Sequence, residues 1–306
     1  MEHPRLGRYP AARHVIAHLS DTHLLAGDAP LGGRADTVAQ LEQAAEQLLR
    51  MRGALDAILV SGDIADLGEP DAYRRVRGIL DPVAEATGAT IVWVMGNHDE
   101  REPFRTILLG EEGGSDGPVN HVVDIAGLRI VVVDSSVPGY HHGTLPPETL
   151  DWLDEVLAEP ARYGTMLAMH HAPIATPLAL MDILELRRQD DLAEVLRGRD
   201  IRAILGGHLH YPTQGMFAGV PVSVAGALAY TMDLSAPPRC LVGIDGGRSF
   251  SLVHCFDDEI VTSVVPVGGF AEITSFGEQF LAEVEALDEE GRLDRWSRKR
   301  EWITDG

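Results

Sequence analysis

The sequence predicts an α/β fold with a strand-built core, and three observations support that prediction. Short apolar runs rich in Val and Ile alternate with longer amphipathic stretches through the first two-thirds of the chain, the pattern of buried strands joined by surface helices. Beyond about residue 212 the runs crowd together, which points to antiparallel pairing and so to mixed β-sheets. In the first part, nearly every run is followed at once by Asp, Asn or His, as expected where a ligand site collects beyond the carboxyl ends of strands.

In chain order, strands are expected at "HVIAHLS" (14–20), "AILVSG" (57–62), "TIVWVMG" (90–96), "LRIVVVD" (128–134), "TMLAMH" (165–170) and "IRAILGG" (201–207). Helices are expected between them. Residues 35–51 place Val38, Leu41, Ala45, Leu48 and Leu49 on one face, 69–86 opens with Glu69-Pro70, and 147–158 opens with Pro147. A weaker helical pattern covers 189–197. "GVPVSVAG", "CLVGID", "SFSLVHCF" and "EIVTSVVPV" then read as closely spaced strands. The charged stretch 276–302, ending in "RWSRKREW", reads as a solvated terminal helix, with a partner or membrane contact as the alternative.

Composition removes several classes of function. With 306 residues, 45% of them hydrophobic, the chain can bury a full core. A net charge of −22 argues against a nucleic-acid polymer, whose backbone is held by clustered Lys and Arg. Bound cations can still reverse the local field and admit a small anion. Cys240 and Cys255 fit neither a disulfide framework nor a paired zinc motif, so they read as free thiols in a reducing compartment. The first residues lack an uninterrupted apolar stretch, and nothing approaches the roughly 18 apolar residues of a spanning helix. The expected setting is cytoplasmic, without stable membrane insertion.

Five fragments follow the strands: "HLSDTH" with Asp21 and His23, "VSGDIAD" with Asp63, "VMGNHDE" with Asn97 and His98, "AMHHAP" with His170 and His171, and "GGHLHY" with His208 and His210. Any one alone is an ordinary turn or a hydrogen-bonded core histidine. All five in order, each at a strand end, point to a metal site. The mixture of carboxylate, amide and imidazole suits Fe, Mn, Zn or Co, whereas Ca²⁺ would want more oxygen. Seven ligands exceed one tetrahedral site but fit two adjacent ions sharing a carboxylate. Gly62, Gly96 and Gly207 stand just before ligand residues, where the backbone must turn sharply and approach an ion closely.

"DTH", "GD", "GNHD", "HH" and "GHLH", at 21–23, 62–63, 96–99, 170–171 and 207–210, resemble the five-block signature of the calcineurin-like metallophosphoesterases. The resemblance covers roughly residues 14 to 225 and implies a four-layer α/β/β/α sandwich with a dinuclear centre. Asp21, His23 and His210 would then hold one metal, Asn97, His170 and His208 the other, with Asp63 bridging and Fe/Mn the favoured pair. His98, beside Asn97, would face the substrate phosphate. Ala172 departs from the pattern, since relatives usually carry Pro there.

"SGDIADLGEP" and "DSSVPGYHHG" are most similar to class III cyclic nucleotide phosphodiesterases, with glycerophosphodiesterases as near relatives. Asp66 stands where purple acid phosphatases carry Tyr, and the Asp-Arg-Gly of protein phosphatases is missing. The resemblance thus implies hydrolysis of small phosphodiesters, 3′,5′-cyclic AMP foremost and 2′,3′-cyclic nucleotides also, by a metal-bridging hydroxide. It implies a homodimer too, and the chain is expected to divide into a catalytic domain over 1–270 and a charged helical extension over 271–306. A glycerophosphodiester or broad-specificity enzyme is the alternative, and a non-catalytic scaffold the alternative of another class. His98 can donate to a phosphoryl oxygen or protonate the leaving alkoxide, or make a structural hydrogen bond. Asp66 either holds the outer nitrogen of a ligand imidazole or caps the following turn. His141 either touches substrate or lies on an ordinary surface loop. Tyr140 in the same loop reads as an exposed aromatic.

Overall fold

The computed structural model describes residues 6–27, 29–111 and 116–299. Two compact units make up the chain: Ala12–Gly268, and a smaller one formed by the segments ending at Ala11 and beginning at Gly269.

The larger unit holds two sheets. The first has β1 (His14–Leu19), β2 (Ala57–Ser61) and β3 (Thr90–Val94) in parallel, extended beyond β1 by antiparallel β12 (Ser249–Cys255) and β13 (Ile260–Pro266). The second runs β4-β5-β6-β7-β9-β8, from β4 (His121–Ile125), β5 (Leu128–Val132), β6 (Thr165–His171), β7 (Ile201–Gly207), β8 (Thr213–Phe217) and β9 (Val220–Val224). Its inner four strands are parallel and its edges antiparallel, so both sheets are mixed.

Strand alternation decides the layers. Ala57 and Leu59 of β2 and Val92 and Val94 of β3 point inward and meet Ile130, Met166, Ala168 and Leu205 of the second sheet in one buried cluster. The alternate residues Ile58 and Val60 point outward, against α1 (Thr37–Leu49) and α2 (Pro70–Thr87). Leu167, Met169 and Ile204 likewise meet α4 (Pro147–Val156) and α5 (Gln189–Leu196) on the far side of the second sheet. Helix, sheet, sheet, helix is the resulting order, as the sequence led one to expect. Helix ends follow their signals too: Asp36 caps α1 by accepting from Ala39 N at 3.0 Å, and Pro70 opens α2, which Gly88 closes in the left-handed conformation.

Some elements differ from expectation. Edge strands β4 and β8 carry weak strand signals, and each is closed by an Ala-Gly turn with positive φ at both residues, Ala126-Gly127 and Ala218-Gly219. The usual Asn-Gly or Asp-Gly sign is therefore missing. After α3 (Arg101–Pro103) the chain winds one π-helical stretch, Phe104–Leu109, unmarked in the sequence. "CLVGID" shrinks to β11 (Gly243–Ile244), paired with β10 (Thr231–Met232), because the Pro237-Pro238 and Gly246-Gly247 pairs flanking it leave little regular backbone. In the smaller unit the expected single helix is broken into α6 (Glu278–Glu285), α7 (Glu289–Arg292) and a π-helical turn, Leu293–Ser297. Asp288 causes the break by capping a new helix, its side chain accepting from Gly291 N at 2.8 Å. Positions 300–302 of that expectation lie outside the described residues. Phe276, Phe280 and Trp296 pack together there, with ring centroids 4.8–5.2 Å apart. No helix among the described residues is long and apolar enough to cross a membrane.

Candidate metal centre

The carboxyl ends of the parallel strands of both sheets converge on one site. β1 leads into Asp21 and His23, β2 into Asp63, and β3 into Asn97 and His98, while β6 ends at His170 and His171 and β7 leads into His208 and His210. Asp21, His23, Asp63, His208 and His210 all have positive φ, between 44° and 71°. Non-glycine residues enter that region at roughly 1–3 kcal/mol each, so the surrounding structure over-determines these five positions. Backbone donors do part of this: Asp21 N donates to Gly62 O and His23 N to Asp63 O, tying the first two loops together.

Asp21, His23, Asp63 and His210 each bring a ligand atom within 4.8 Å of the others. His23 Nε2 lies 3.6 Å from Asp63 Oδ2, and His170 Nε2, from the other sheet, lies 3.3 Å from the same oxygen. His210 Nε2 is 3.3 Å from Asp21 Oδ1. Asp63 therefore sits between two groups of imidazoles.

Hydrogen bonds at the outer nitrogens fix which ring atom faces inward. His23 Nδ1 donates to Asp66 Oδ1 at 2.9 Å, His170 Nδ1 to Ser61 O at 2.7 Å and His210 Nδ1 to Tyr230 O at 3.1 Å. Each turns its Nε2 toward the carboxylates. His208 is reversed, with Nε2 donating to Leu184 O at 3.1 Å and Nδ1 left bare. His171 has no bare nitrogen: Ser135 Oγ occupies Nδ1 at 2.8 Å and His141 O occupies Nε2 at 3.1 Å. Of the adjacent pair, His170 alone can take a cation.

Three observations fit a metal at this place. Nε2 of His23 and Nε2 of His210 face each other at 3.1 Å, both turned toward the space a cation would occupy. Asn97 Oδ1 is buried with no hydrogen-bond partner, which is costly for a polar atom left alone. The charge balance agrees. Burial favours the neutral forms, but the facing imidazoles outweigh it and hold Asp21 and Asp63 below the usual carboxylate range. Burial is likewise outweighed by Asp63 at His170, lifted to about 9, and by Asp21 at His210, also raised. The cluster is built to hold positive charge.

Around these atoms lie the remaining sequence candidates. Asp66 bonds to His23 as described, and its carbonyl accepts from His98 Nδ1 at 2.8 Å. His98 N donates to Asp63 Oδ1 at 2.8 Å while its ring stays partly exposed at the rim. His141 is exposed, yet its Nδ1 lies 2.9 Å from Asn97 Nδ2. Tyr140 is exposed, with its ring 5.3 Å from that of His142. Ala172, the departure from the family pattern, is buried without disturbing His170 or His171.

Two residues outside the expected set brace the loops. Asp99 is buried and accepts from Ile64 N, Ala65 N, Gly96 N and Tyr73 Oη, all within 3.1 Å at one oxygen or the other. Burial and the charge of Asp63 push it up to about 6, against the pull of its backbone donors. Tyr73 Oη in turn accepts from Glu100 N at 3.0 Å, so α2 is fastened to the loop carrying Asn97 and His98. Tyr73 reads in the sequence as one more apolar residue of a helix face, and no local signal reveals its hydroxyl's task.

Gly62 has φ 95°, whereas Gly207 is needed for closeness: a methyl there would collide with Ser20 Oγ and lie 2.9 Å from both Asp21 Oδ2 and Ser61 O. Gly207→Ala is accordingly expected to lower stability by about 1–3 kcal/mol, as overpacking typically does. Urea unfolding of the two proteins checks this, and equal midpoints would show that the contact is slack.

A four-layer sandwich with carboxylate, amide and imidazole gathered at its strand ends defines a metallophosphoesterase. Residues 14–212 match the calcineurin-like phosphoesterase family, and the chain belongs to that family. A cAMP/cGMP dual specificity phosphodiesterase of Mycobacterium tuberculosis (strain CDC 1551 / Oshkosh) is 48% identical over 276 residues, covering 90% of this chain and 86% of that protein. The 3′,5′-cyclic adenosine monophosphate phosphodiesterase CpdA of Pseudomonas aeruginosa is 32% identical over 197 residues, 64% of this chain and 69% of that one. Among solved structures, a dimetal phosphatase from Danio rerio shares the fold, with a TM-score of 0.60 at 17% identity, covering 84% of this chain and 97% of that one. The protein is thus a hydrolase of the phosphoesterase class whose named relatives act on cyclic nucleotides.

Proposed function

We propose that the protein hydrolyses 3′,5′-cyclic AMP, and 2′,3′-cyclic nucleotides as further substrates, at a centre of two transition-metal ions. The carrying observation is Asp63 Oδ2, within 3.6 Å of His23 Nε2 on one side and 3.3 Å of His170 Nε2 on the other, the position of a shared ligand. Asp21, His23 and His210 would hold one ion and Asn97, His170 and His208 the other. The donors suit Fe and Mn, with Zn or Co also acceptable. The substrate follows from the relatives named above.

When bound, a pair of such ions neutralises the phosphate oxygens and lowers the pKa of a water that attacks phosphorus. The chain's own residues do the rest. Asn97 and His98 stand side by side at the rim, where a phosphate held by the centre would lie. His98 Nδ1 is committed to the Asp66 carbonyl, so a proton at its Nε2 requires the doubly protonated ring. In that form Nε2 can donate to a phosphoryl oxygen or pass its proton to the leaving alkoxide, a contribution of about 10²–10⁴-fold. Asp66 keeps His23 turned Nε2 inward, and a partly exposed rim admits a small diester.

The test is hydrolysis of 3′,5′-cyclic AMP, 2′,3′-cyclic AMP, a glycerophosphodiester and nitrophenyl phosphate after loading with Mn²⁺ or Fe²⁺, beside Asn97→Ala. Cyclic nucleotides are expected to be preferred, with kcat/KM falling about 10²-fold or more in the variant, as for loss of an electrostatic stabiliser. Equal rates on all diesters would mean a broad-specificity enzyme. Absence of metal-dependent turnover on any of them would refute the proposal.

A further inference from the structure

An asparagine ligand poses a problem that Asp and His do not. Only its carbonyl oxygen binds a cation, yet Oδ1 and Nδ2 are nearly the same size and exchange places by rotation about one bond. Unless a neighbour distinguishes the two ends, the amide presents the wrong one part of the time.

We propose that His141 is a positioning residue that sets the amide of Asn97, turning Oδ1 toward the metal-binding space, while His171 and Ser135 hold His141 in place. This rests on the reading of Asn97 as a metal ligand given above. Asn97 Nδ2 lies 2.9 Å from His141 Nδ1, and an amide nitrogen can only donate, so Nδ1 is the acceptor and the ring proton sits on Nε2. Asn97 Oδ1 is buried and has no protein partner. One end of the amide is engaged by the imidazole and the other is free for a cation.

The 134–143 loop carries His141 on firm supports, although the side chain itself is exposed. Ser135 Oγ donates to His171 Nδ1 at 2.8 Å and accepts from His171 N at 3.2 Å. His171 Nε2 then donates to the carbonyl of His141 at 3.1 Å. Thr144 N donates to Ser135 O at 2.9 Å, while Gly143 exchanges backbone bonds with Glu185 O and Arg187 N at 3.1 and 2.8 Å. Gly143 also packs so closely that any side chain there would strike the His171 ring. The second histidine of the "HH" block, with both nitrogens used and no ligand role, thus acts on the centre through the loop it pins. The path is Ser135, His171, His141, Asn97, and it crosses from the second sheet to the first.

The experiment is a metal titration of the full-length chain, stripped and then reloaded with Mn²⁺, by calorimetry with elemental analysis for stoichiometry. Wild type is compared with Asn97→Ala, His141→Phe, which keeps a ring but no acceptor, and His141→Gln, whose side-chain carbonyl can accept again. His141→Phe is expected to weaken one of the two ions by about 10–100-fold, the usual effect of removing a partner behind a ligand, and to leave the other nearly unchanged. His141→Gln should recover most of the loss. A plain structural role would not distinguish Phe from Gln, and an exposed side chain leaves thermal unfolding of the stripped protein unaltered in both. If both ions bind His141→Phe as tightly as wild type while Asn97→Ala loses one, the positioning role is wrong and the ligand assignment stands. If Asn97→Ala itself loses nothing, the ligand assignment fails and the inference falls with it. If the variants show this His141 dependence but the wild type hydrolyses no cyclic nucleotide, the proposed function alone is overturned.

Discussion

Asp63→Ala is expected to abolish turnover, lowering kcat/KM by at least about 10³-fold, or roughly 4 kcal/mol, because a shared carboxylate serves both proposed ions and their neutralising effect is worth several kcal/mol. Its Oδ2 faces His23 and His170, and its Oδ1 accepts from His98 N at 2.8 Å, so one substitution detaches three residues of the site. Single-turnover assays with saturating Mn²⁺ check this. A loss under tenfold would mean that the ions do not share Asp63.

The second large effect concerns folding. Asp99→Ala should destabilise the protein by about 3–5 kcal/mol, the range for breaking a buried charged network, because it strands Ile64 N, Ala65 N, Gly96 N and the Tyr73 hydroxyl. Urea unfolding monitored by circular dichroism measures it. A change below 1 kcal/mol would show that water replaces the carboxylate at these donors. Metal affinity should fall in parallel, because the same four donors hold the Asp63 and Asn97 loops together.

These two predictions draw on residues of unequal visibility in the sequence. Asp63 stands directly after a Val- and Leu-rich run and a glycine, so its chain position announces both the strand end and the turn. Asp21, His23, Asn97, His170, His208 and His210 are visible for the same reason, and the structure brings them to one place at the carboxyl ends of β1, β3, β6 and β7. The supporting residues carry no such mark. Asp99 finds two of its donors 34 and 35 residues back in the chain, and Tyr73 reaches it from a helix face that looks wholly apolar. His171 reads as a possible ligand until Ser135 and the His141 carbonyl are seen to occupy it. Edge strands β4 and β8 carry little sequence signal because Ala stands in their turns where Asn or Asp would normally mark them. Core strands announce themselves by burial on both faces, whereas edges and bracing polar groups are defined by partners distant in sequence.

The division of the proposed ligands between two sheets has a consequence for biosynthesis. Residues up to Asn97 come from the first sheet, His170, His208 and His210 from the second, so no contiguous half of the chain contains a whole centre. A nascent polypeptide must emerge past position 210 before the last imidazole exists, and the flanking sheets must dock before it can meet Asp21. The proposed centre can therefore be completed only after about two-thirds of the chain has been made.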